Sequence, residues 1–443
     1  MSLAALLLEH PYRDDEGLVH TVDRSVTAGD ARRAARAVAG ALGDRAGRAV
    51  AVQLPNGPEL VSAMAGVWLA GGVYVPVNPR QPQSELTAVI ETTRPSVLLT
   101  ASGMEPLDNS RRYDEDVAFV MWTSGTTGRP KPILHTHAAY IELLDRVLGP
   151  LRVGGGSDRP TPNLIPVSMA LNAGLYNVLF GLRAGAELVI MDRFEPTVFA
   201  ELVQHFQIRS TVLPPAAMSL LTDSDVTDLS PLKYVRSITA PMSPLQARRF
   251  REKFPVLVLN GYGQAELGEV IGWTADDAKT HPDKLGAIGK PHPGVSIKID
   301  ADGHLLVRPP NTAVGIDERT DEDGFVDTGD LAHVDGDGFV WIDGRAGDVI
   351  NRGGNKVFPA AVEEVLRLSP AVDDVVVCGM PDERLGEVPV AFLVGREIHD
   401  DELVALCREH LVPYKVPAAF HWIAELPRNE AGKVMRAALV DQP

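Results

Sequence analysis

Cysteine is nearly absent from this 443-residue chain, which has only Cys378 and Cys407. Both sit in apolar or helix-patterned stretches without metal-site spacing. Two such thiols make no disulfide framework, so a reducing cytoplasm is the expected compartment. Positive charge is also short: 42 Lys and Arg face 59 Asp and Glu, a net charge of −17. That balance supplies no basic face for nucleic acid or an anionic membrane, and neither partner is expected. Any anionic ligand must instead be held by local donors against the overall field. Long hydrophobic runs are missing too. None approaches the roughly 20 residues of a membrane span, and the apolar run at 3–8 is too short, and lacks the basic leader, for a secretory signal. No Ser-His-Asp or metal-ligand spacing stands out.

What is present is an ordinary globular composition, 45% hydrophobic and 23% charged, in a chain too long for one core. Helix and strand signals alternate from residue 27. Thr27 with Asp30 makes a capping-box-like start to a stripe of Ala31, Ala34, Ala35, Val38, Ala39 and Leu42 at helical spacing. Strands at 49–54, 73–77 and 96–100 then alternate with helices at 58–69 and 83–92. The alternation resumes from 187 to 259, which implies βαβ units and a parallel sheet. Between these blocks, 101–116 reads as a short polar connection. From about 286 repeated Asp-Gly pairs (302–303, 323–324, 335–336, 337–338, 343–344) punctuate β-branched runs, the mark of antiparallel hairpins. A smaller α+β piece follows Arg345.

The apolar run 117–122 reads as a buried strand that empties into Thr123-Ser124-Gly125-Thr126-Thr127-Gly128-Arg129-Pro130-Lys131. Hydroxyls, glycines and a lysine at this density often build a plain surface turn. They can also wrap phosphate oxygens, because glycine permits close backbone approach and the turns of an anion nest. It is not a Walker A loop, which needs four residues between its glycines and a Lys-Ser/Thr opening a helix. The loops after Trp122, Thr239 and Leu259 all fall at carboxyl ends of expected strands, where ligands of such sheets sit. The third holds Tyr262 between Gly261 and Gly263, an aromatic able to lie under a nucleobase. Glu266 follows, a carboxylate able to hold Mg2+ through oxygen.

The loop at 123–131 closely resembles the phosphate-binding signature of the adenylate-forming (ANL) superfamily, the acyl- and aryl-CoA synthetases and their relatives. The resemblance runs over about residues 27–440 with the motifs in family order. It implies an α/β fold: a large N-terminal AMP-binding domain, 1–346, of parallel-sheet βαβ layers plus a β-rich subdomain, then a small mobile α+β domain, 347–443. It also implies that Thr123, Ser124, Gly125, Thr126, Thr127, Gly128 and Lys131 hold the ATP phosphates. Ala265 stands where the family often has Thr, which puts more of the α-phosphate contact on Thr126 and Thr127. By the same resemblance Tyr262 and Gly263 take the adenine, Ala240 of the 239–241 loop borders it, and Glu266 binds Mg2+. Asp330 of the Asp327-Thr328-Gly329-Asp330 turn takes the ribose hydroxyls, and Arg345 the ribose or phosphate. Gly347 falls at the hinge, where the family has Asp or Lys, and Gly353-Gly354 near the thiol tunnel. Lys433 matches the mobile catalytic lysine that bridges the substrate carboxylate and α-phosphate.

The implied activity is that of an ATP-dependent acid–thiol ligase. A carboxylic acid becomes an acyl-adenylate with release of pyrophosphate, then passes to coenzyme A. The alternatives are a stand-alone ligase loading a free-standing acyl carrier protein and a non-catalytic nucleotide-binding relative. The expected pocket strand, 166–174, has no carboxylate for an α-amino group and no Arg or Lys for a second carboxylate. An apolar monocarboxylic acyl or aryl group is therefore expected, lined by Met169, Asn172, Ala216 and Gln264. For His135 and His137, packing rather than catalysis is expected.

Overall fold

The computed structural model describes residues 2–108, 110–114, 116–123, 131–152, 159–238, 242–428 and 434–440. Two sheets with helices between them carry the first part of the chain. One has six strands, in the order Gly103–Pro106, Val97–Thr100, Ala49–Gln53, Val73–Pro76, Val117–Thr123 and Lys131–Thr136. Its inner strands are parallel. Its outer pairs are antiparallel. The other has nine, with Asn163–Ile165, Leu188–Ile190, Ser210–Val212, Tyr234–Ser237 and Leu257–Gln264 among them.

The alternation of side chains along a strand explains the layering. Val50 and Val52 face the core between the sheets, while Ala49 and Ala51 face a separate cluster on the opposite side. Ile165, Leu188 and Ile190 enter the shared core, and Leu164 and Val189 the outer one. Sheets buried on both faces need such uninterrupted apolar strands. Helix Ala28–Leu42 begins where Thr27 Oγ1 accepts from the Asp30 amide at 3.1 Å; a cap of this kind is worth about 1 kcal/mol. It packs on helix Pro58–Leu69, which is buried on nearly all sides because it lies within the central layer.

Beyond residue 295 the strand pairs are antiparallel except the last. Ser296–Ile299, His304–Arg308, Val326–Val334 and Val340–Arg345 form a four-stranded sheet. The last piece places Asn355–Val357, Ile350–Arg352, Gly386–Gly395 and Val372–Asp382 in order, with Ala419–Trp422 parallel to Gly386–Gly395. Helices Pro359–Leu366 and Asp400–His410 cover its core.

Four local expectations change. Strand Leu257–Gln264 runs on through Asn260–Gly263 rather than opening into a loop after Leu259, because those residues take a new antiparallel partner, Gly268–Gly272. Asp343-Gly344 is inside strand Val340–Arg345 rather than a turn, paired across to Leu331 at a register shift. The polar connection at 101–116 contributes the edge strand Gly103–Pro106. The stretch 327–330, expected as a turn, is extended inside strand Val326–Val334; apart from these, Gly17–His20 pairs in parallel with Leu188–Ile190 and carries Ser25–Thr27 as the outermost strand.

Candidate active site

Three elements meet at the carboxyl end of the nine-stranded sheet. Strands Tyr234–Ser237 and Leu257–Gln264 run in parallel to the Ser237–Asn260 pair. The second then continues as the hairpin that bears Tyr262, Gln264 and Glu266. The four-stranded sheet comes alongside, with Asp330 and Arg345 opposite each other on its last two strands.

One carboxylate organises the contact. Asp330 is 5% exposed. The Tyr262 hydroxyl donates to its Oδ2 at 2.5 Å, and Arg345 Nε lies 2.7 Å from its Oδ1. The Asp330 amide donates to Thr328 Oγ1 at 3.1 Å, and Gln264 Nε2 donates to the Thr328 carbonyl at 2.7 Å. Burial first, and then the Asp330 charge, push the Tyr262 phenol far above its ordinary value, so it remains a donor at every working pH. Its ring plane is thereby pinned. A carboxylate can accept more than one donor at each oxygen, so the clamp orients Asp330 without removing its capacity for a vicinal diol. Sequence spacing had linked Tyr262, Asp330 and Arg345 only through resemblance; the fold brings them into contact.

Glu266 is half-buried at the hairpin turn, and its Oε1 accepts from Arg319 Nη2 at 3.0 Å. Arg319 also reaches Gln264 Oε1 at 3.4 Å. No motif points to Arg319, which stands 53 residues away on another segment. Among the described residues no three of His, Cys, Asp and Glu converge as a metal cage. Magnesium characteristically takes one or two carboxylates and fills its octahedron with phosphate oxygens and water, and a single half-buried Glu266 fits that habit. A cation there would compete with Arg319. Arg319→Met is expected to lower the half-saturating Mg2+ concentration about two- to fivefold, the range of a partly exposed ion pair. A rise in that concentration, read by ATP titration at fixed Mg2+ steps, would show that Arg319 holds the nucleotide instead.

The other expected site residues are placed as follows. Met169 is buried in the core between the sheets, its amide donating to Asn56 Oδ1 at 2.9 Å. Asn172 opens helix Asn172–Ala184. Ala216 is exposed on the first turn of helix Pro215–Asp223. Gly353 and Gly354, with φ of +56° and +85°, make the two-residue turn between Ile350–Arg352 and Asn355–Val357, a geometry that favours glycine at both places. Gly347 lies in the short helical turn Ala346–Asp348, with open space where a Cβ would stand. Ser124, Gly125, Thr126, Thr127, Gly128, Ala240 and Lys433 lie outside the described residues, as do the side chains of Thr123 and Lys131. The Lys433 segment is anchored on both flanks: Arg428 pairs with Val434, and Arg436 Nη1 donates to Glu363 Oε1 and the Val377 carbonyl.

Both histidines pack. His135 stacks on Phe119 with ring centroids 4.8 Å apart, and His137 Nδ1 accepts from the Leu3 amide at 3.1 Å. Burial holds the His135 pKa down at about 4, against an ordinary 6.5. The unfolded chain therefore protonates near 6.5 and the folded chain only near 4. Stability from neutral His135 is complete above 6.5 and is lost as pH falls towards 4. His135→Phe, which keeps the stacking, is expected to flatten the stability–pH slope in that window by one proton, about 1.4 kcal/mol per pH unit. An unchanged slope in denaturant titrations would assign it elsewhere.

Parallel strands ending at a clamped carboxylate beside a pinned aromatic ring define an α/β protein built to handle a nucleotide. Residues 10–114 and 104–315 match the family model of AMP-binding enzymes, residues 361–433 match the C-terminal domain of those enzymes, and the chain belongs to this family. Its relatives include a 2-succinylbenzoate–CoA ligase of Bacillus velezensis, 31% identical over 90% of this chain and 87% of that protein. Another is a 4-coumarate–CoA ligase-like protein of Oryza sativa subsp. japonica, 28% identical over 97% and 90%. Among solved structures, o-succinylbenzoate coenzyme A synthetase of Bacillus subtilis in complex with ATP and magnesium ion matches with a TM-score of 0.85. It is 25% identical, covering 98% of this chain and 99% of that one. Among the described residues no helix is long and apolar enough to cross a membrane.

Proposed function

We propose that this chain is an ATP-dependent acid–thiol ligase that activates a carboxylic acid as its acyl-adenylate and passes the acyl group to coenzyme A. The observation that carries the reading is the buried carboxylate of Asp330, shared by Tyr262 and Arg345 in a chain of the AMP-binding enzyme family. Asp330 accepts from the ribose hydroxyls, Tyr262 supports the adenine, and Arg345 adds positive charge to that end of the nucleotide. Residues 123–128 and Lys131 surround the phosphates. Glu266 supplies one oxygen to Mg2+, which when bound offsets phosphate charge.

The carboxylate of the acid then attacks the α-phosphorus, the bond to pyrophosphate breaks, and Lys433 balances the charge that develops. No protein nucleophile is needed, since positioning and electrostatic stabilisation supply the acceleration. The division at 346/347 separates a nucleotide-holding domain from one that carries Lys433. Rotation about Gly347 exchanges Lys433 for the surface around Gly353-Gly354, which admits the thiol.

The test is acid-dependent pyrophosphate release from Mg·ATP over a panel of acids, with and without coenzyme A. Release that coenzyme A accelerates, with a thioester as product, is the expected result. Adenylate that accumulates and is not transferred to coenzyme A would make the acceptor a carrier protein. ATP binding without release on any acid would leave a binding protein.

A further inference from the structure

We infer that the acid activated here carries a second oxygen acceptor, a carboxylate or carbonyl remote from its reacting carboxyl, received by Tyr140, Arg146 and Tyr176. The inference rests on the ligase reading and adds the substrate class.

The hydroxyls of Tyr140 and Tyr176 and Nη1 of Arg146 are all buried, and none has a hydrogen-bond partner among the described residues. Buried donors are satisfied in the great majority of folded proteins, so three unmet ones on facing helices require an explanation. Tyr140 and Arg146 lie on helix His137–Arg152, and Tyr176 on helix Asn172–Ala184, which packs against it. Tyr176 stands within electrostatic reach of Tyr140 and of Arg146. Burial, and then Tyr176, raise the Tyr140 phenol, while the Tyr176 phenol is raised by burial and then by Glu269, with Arg236 and then Arg146 opposing.

Their place is one layer behind the nucleotide strand. Glu269 Oε1 lies 3.0 Å from where a Cβ on Gly261 would stand, directly before Tyr262. The hairpin turn at Gly268 seats against Leu143 of the same helix as Tyr140 and Arg146. Tyr140 also packs edge-on to Phe119, in the strand that leads to the 123–131 loop. An acid whose carboxyl is activated beside Tyr262 directs its tail into this layer.

Charge selects the kind of tail. Arg236 Nη1 is 2.9 Å from both oxygens of Glu269, and His292 Nε2 is 3.2 Å from one of them, so that group is internally matched. The two acids on the same helix as Arg146 are engaged elsewhere: Glu142 is exposed and bonds Asn311, and Asp145 is held by Arg183 at 2.8 Å. Arg146 therefore brings a cation and two phenols bring donors, a set that an anionic or carbonyl oxygen satisfies and a hydrocarbon leaves unmet. The apolar pocket expected from residues 166–174 is thus incomplete, because its polar wall comes from the preceding helix.

The experiment compares kcat/KM for pyrophosphate release over matched pairs of acids. Diacids and ω-oxo acids are set against monoacids of equal length, and aryl acids are compared with and without a distal carboxylate. The acceptor-bearing member is expected to win by about tenfold or more, since buried donors left unpaired penalise the other. Arg146→Met and Tyr176→Phe, each checked for a retained melting transition, are expected to collapse that ratio towards unity through the KM for the acid. A preference for the apolar member, or a ratio that survives both substitutions, overturns the inference while the ligase reading stands. Turnover with no acid of either kind overturns both.

Discussion

Lys433→Ala is expected to reduce acid-dependent pyrophosphate release by about 10²–10³-fold in kcat, the loss typical of one preorganised donor at a developing charge. ATP affinity should change little, because the lysine acts on charge that forms only as the carboxylate meets the α-phosphorus. The flanks make the variant interpretable. Arg428 is 2.5 Å from Asp374, Met435 donates its amide to the Pro427 carbonyl at 2.8 Å, and Arg436 is bonded to Glu363 and Val377. Removing one side chain between these anchors leaves the small domain its core, so the melting temperature should hold. The acyl transfer half-reaction, started from synthetic acyl-adenylate and coenzyme A, should be far less affected than adenylation. Equal loss in both halves would mean that Lys433 supports the domain rather than the first chemical step. A loss under threefold in adenylation would remove it from the mechanism.

The fold was legible wherever the signal was local. Thr27 with Asp30 announces a helix because the cap and its partner lie within one turn. Pro58 at a first helical position, followed by an apolar run to Leu69 that only Glu59 and Ser62 interrupt, marks a helix. The pairing of Gly17–His20 with Leu188–Ile190 was not legible, since no short-range pattern reports a parallel neighbour so distant in the chain. Tyr262 and its neighbours carry the sequence marks of a loop because glycine punctuates turns; here a change of strand partner keeps them extended.

The site divides in the same way. Asp330 and Arg345 could be nominated by motif, yet their shared carboxylate geometry is a property of register across two strands. Arg319 on Glu266, and Arg146 beside Tyr176, had no motif at all. Each is a long-range meeting of polar groups that only the packed layers create.

Asp330→Ala tests whether that meeting exists for nucleotide or for the fold alone. Truncating one partner of a buried, hydrogen-bonded charge pair costs about 2–5 kcal/mol, so the substitution should lower the melting temperature as well as weaken ATP. The two losses separate by comparison with Tyr262→Phe. That variant removes the phenol donor but leaves Asp330 with Arg345, at 2.7 Å. If Asp330 accepts from the ribose, Asp330→Ala should weaken ATP about 100-fold or more. Tyr262→Phe should weaken it only a few-fold, because the ring face is kept. A 2′,3′-dideoxy nucleotide should show the decisive pattern: it binds wild-type enzyme poorly and loses almost nothing further in Asp330→Ala. If instead the dideoxy and natural nucleotides suffer equally in the variant, the carboxylate serves to hold Tyr262 and Arg345 in register, and the ribose is recognised elsewhere. The geometry favours the first outcome. A carboxylate needed only to brace two strands would gain nothing from lying between an aromatic ring and a guanidinium that is itself 41% exposed, whereas one that receives a diol needs the orientation that these two donors give it.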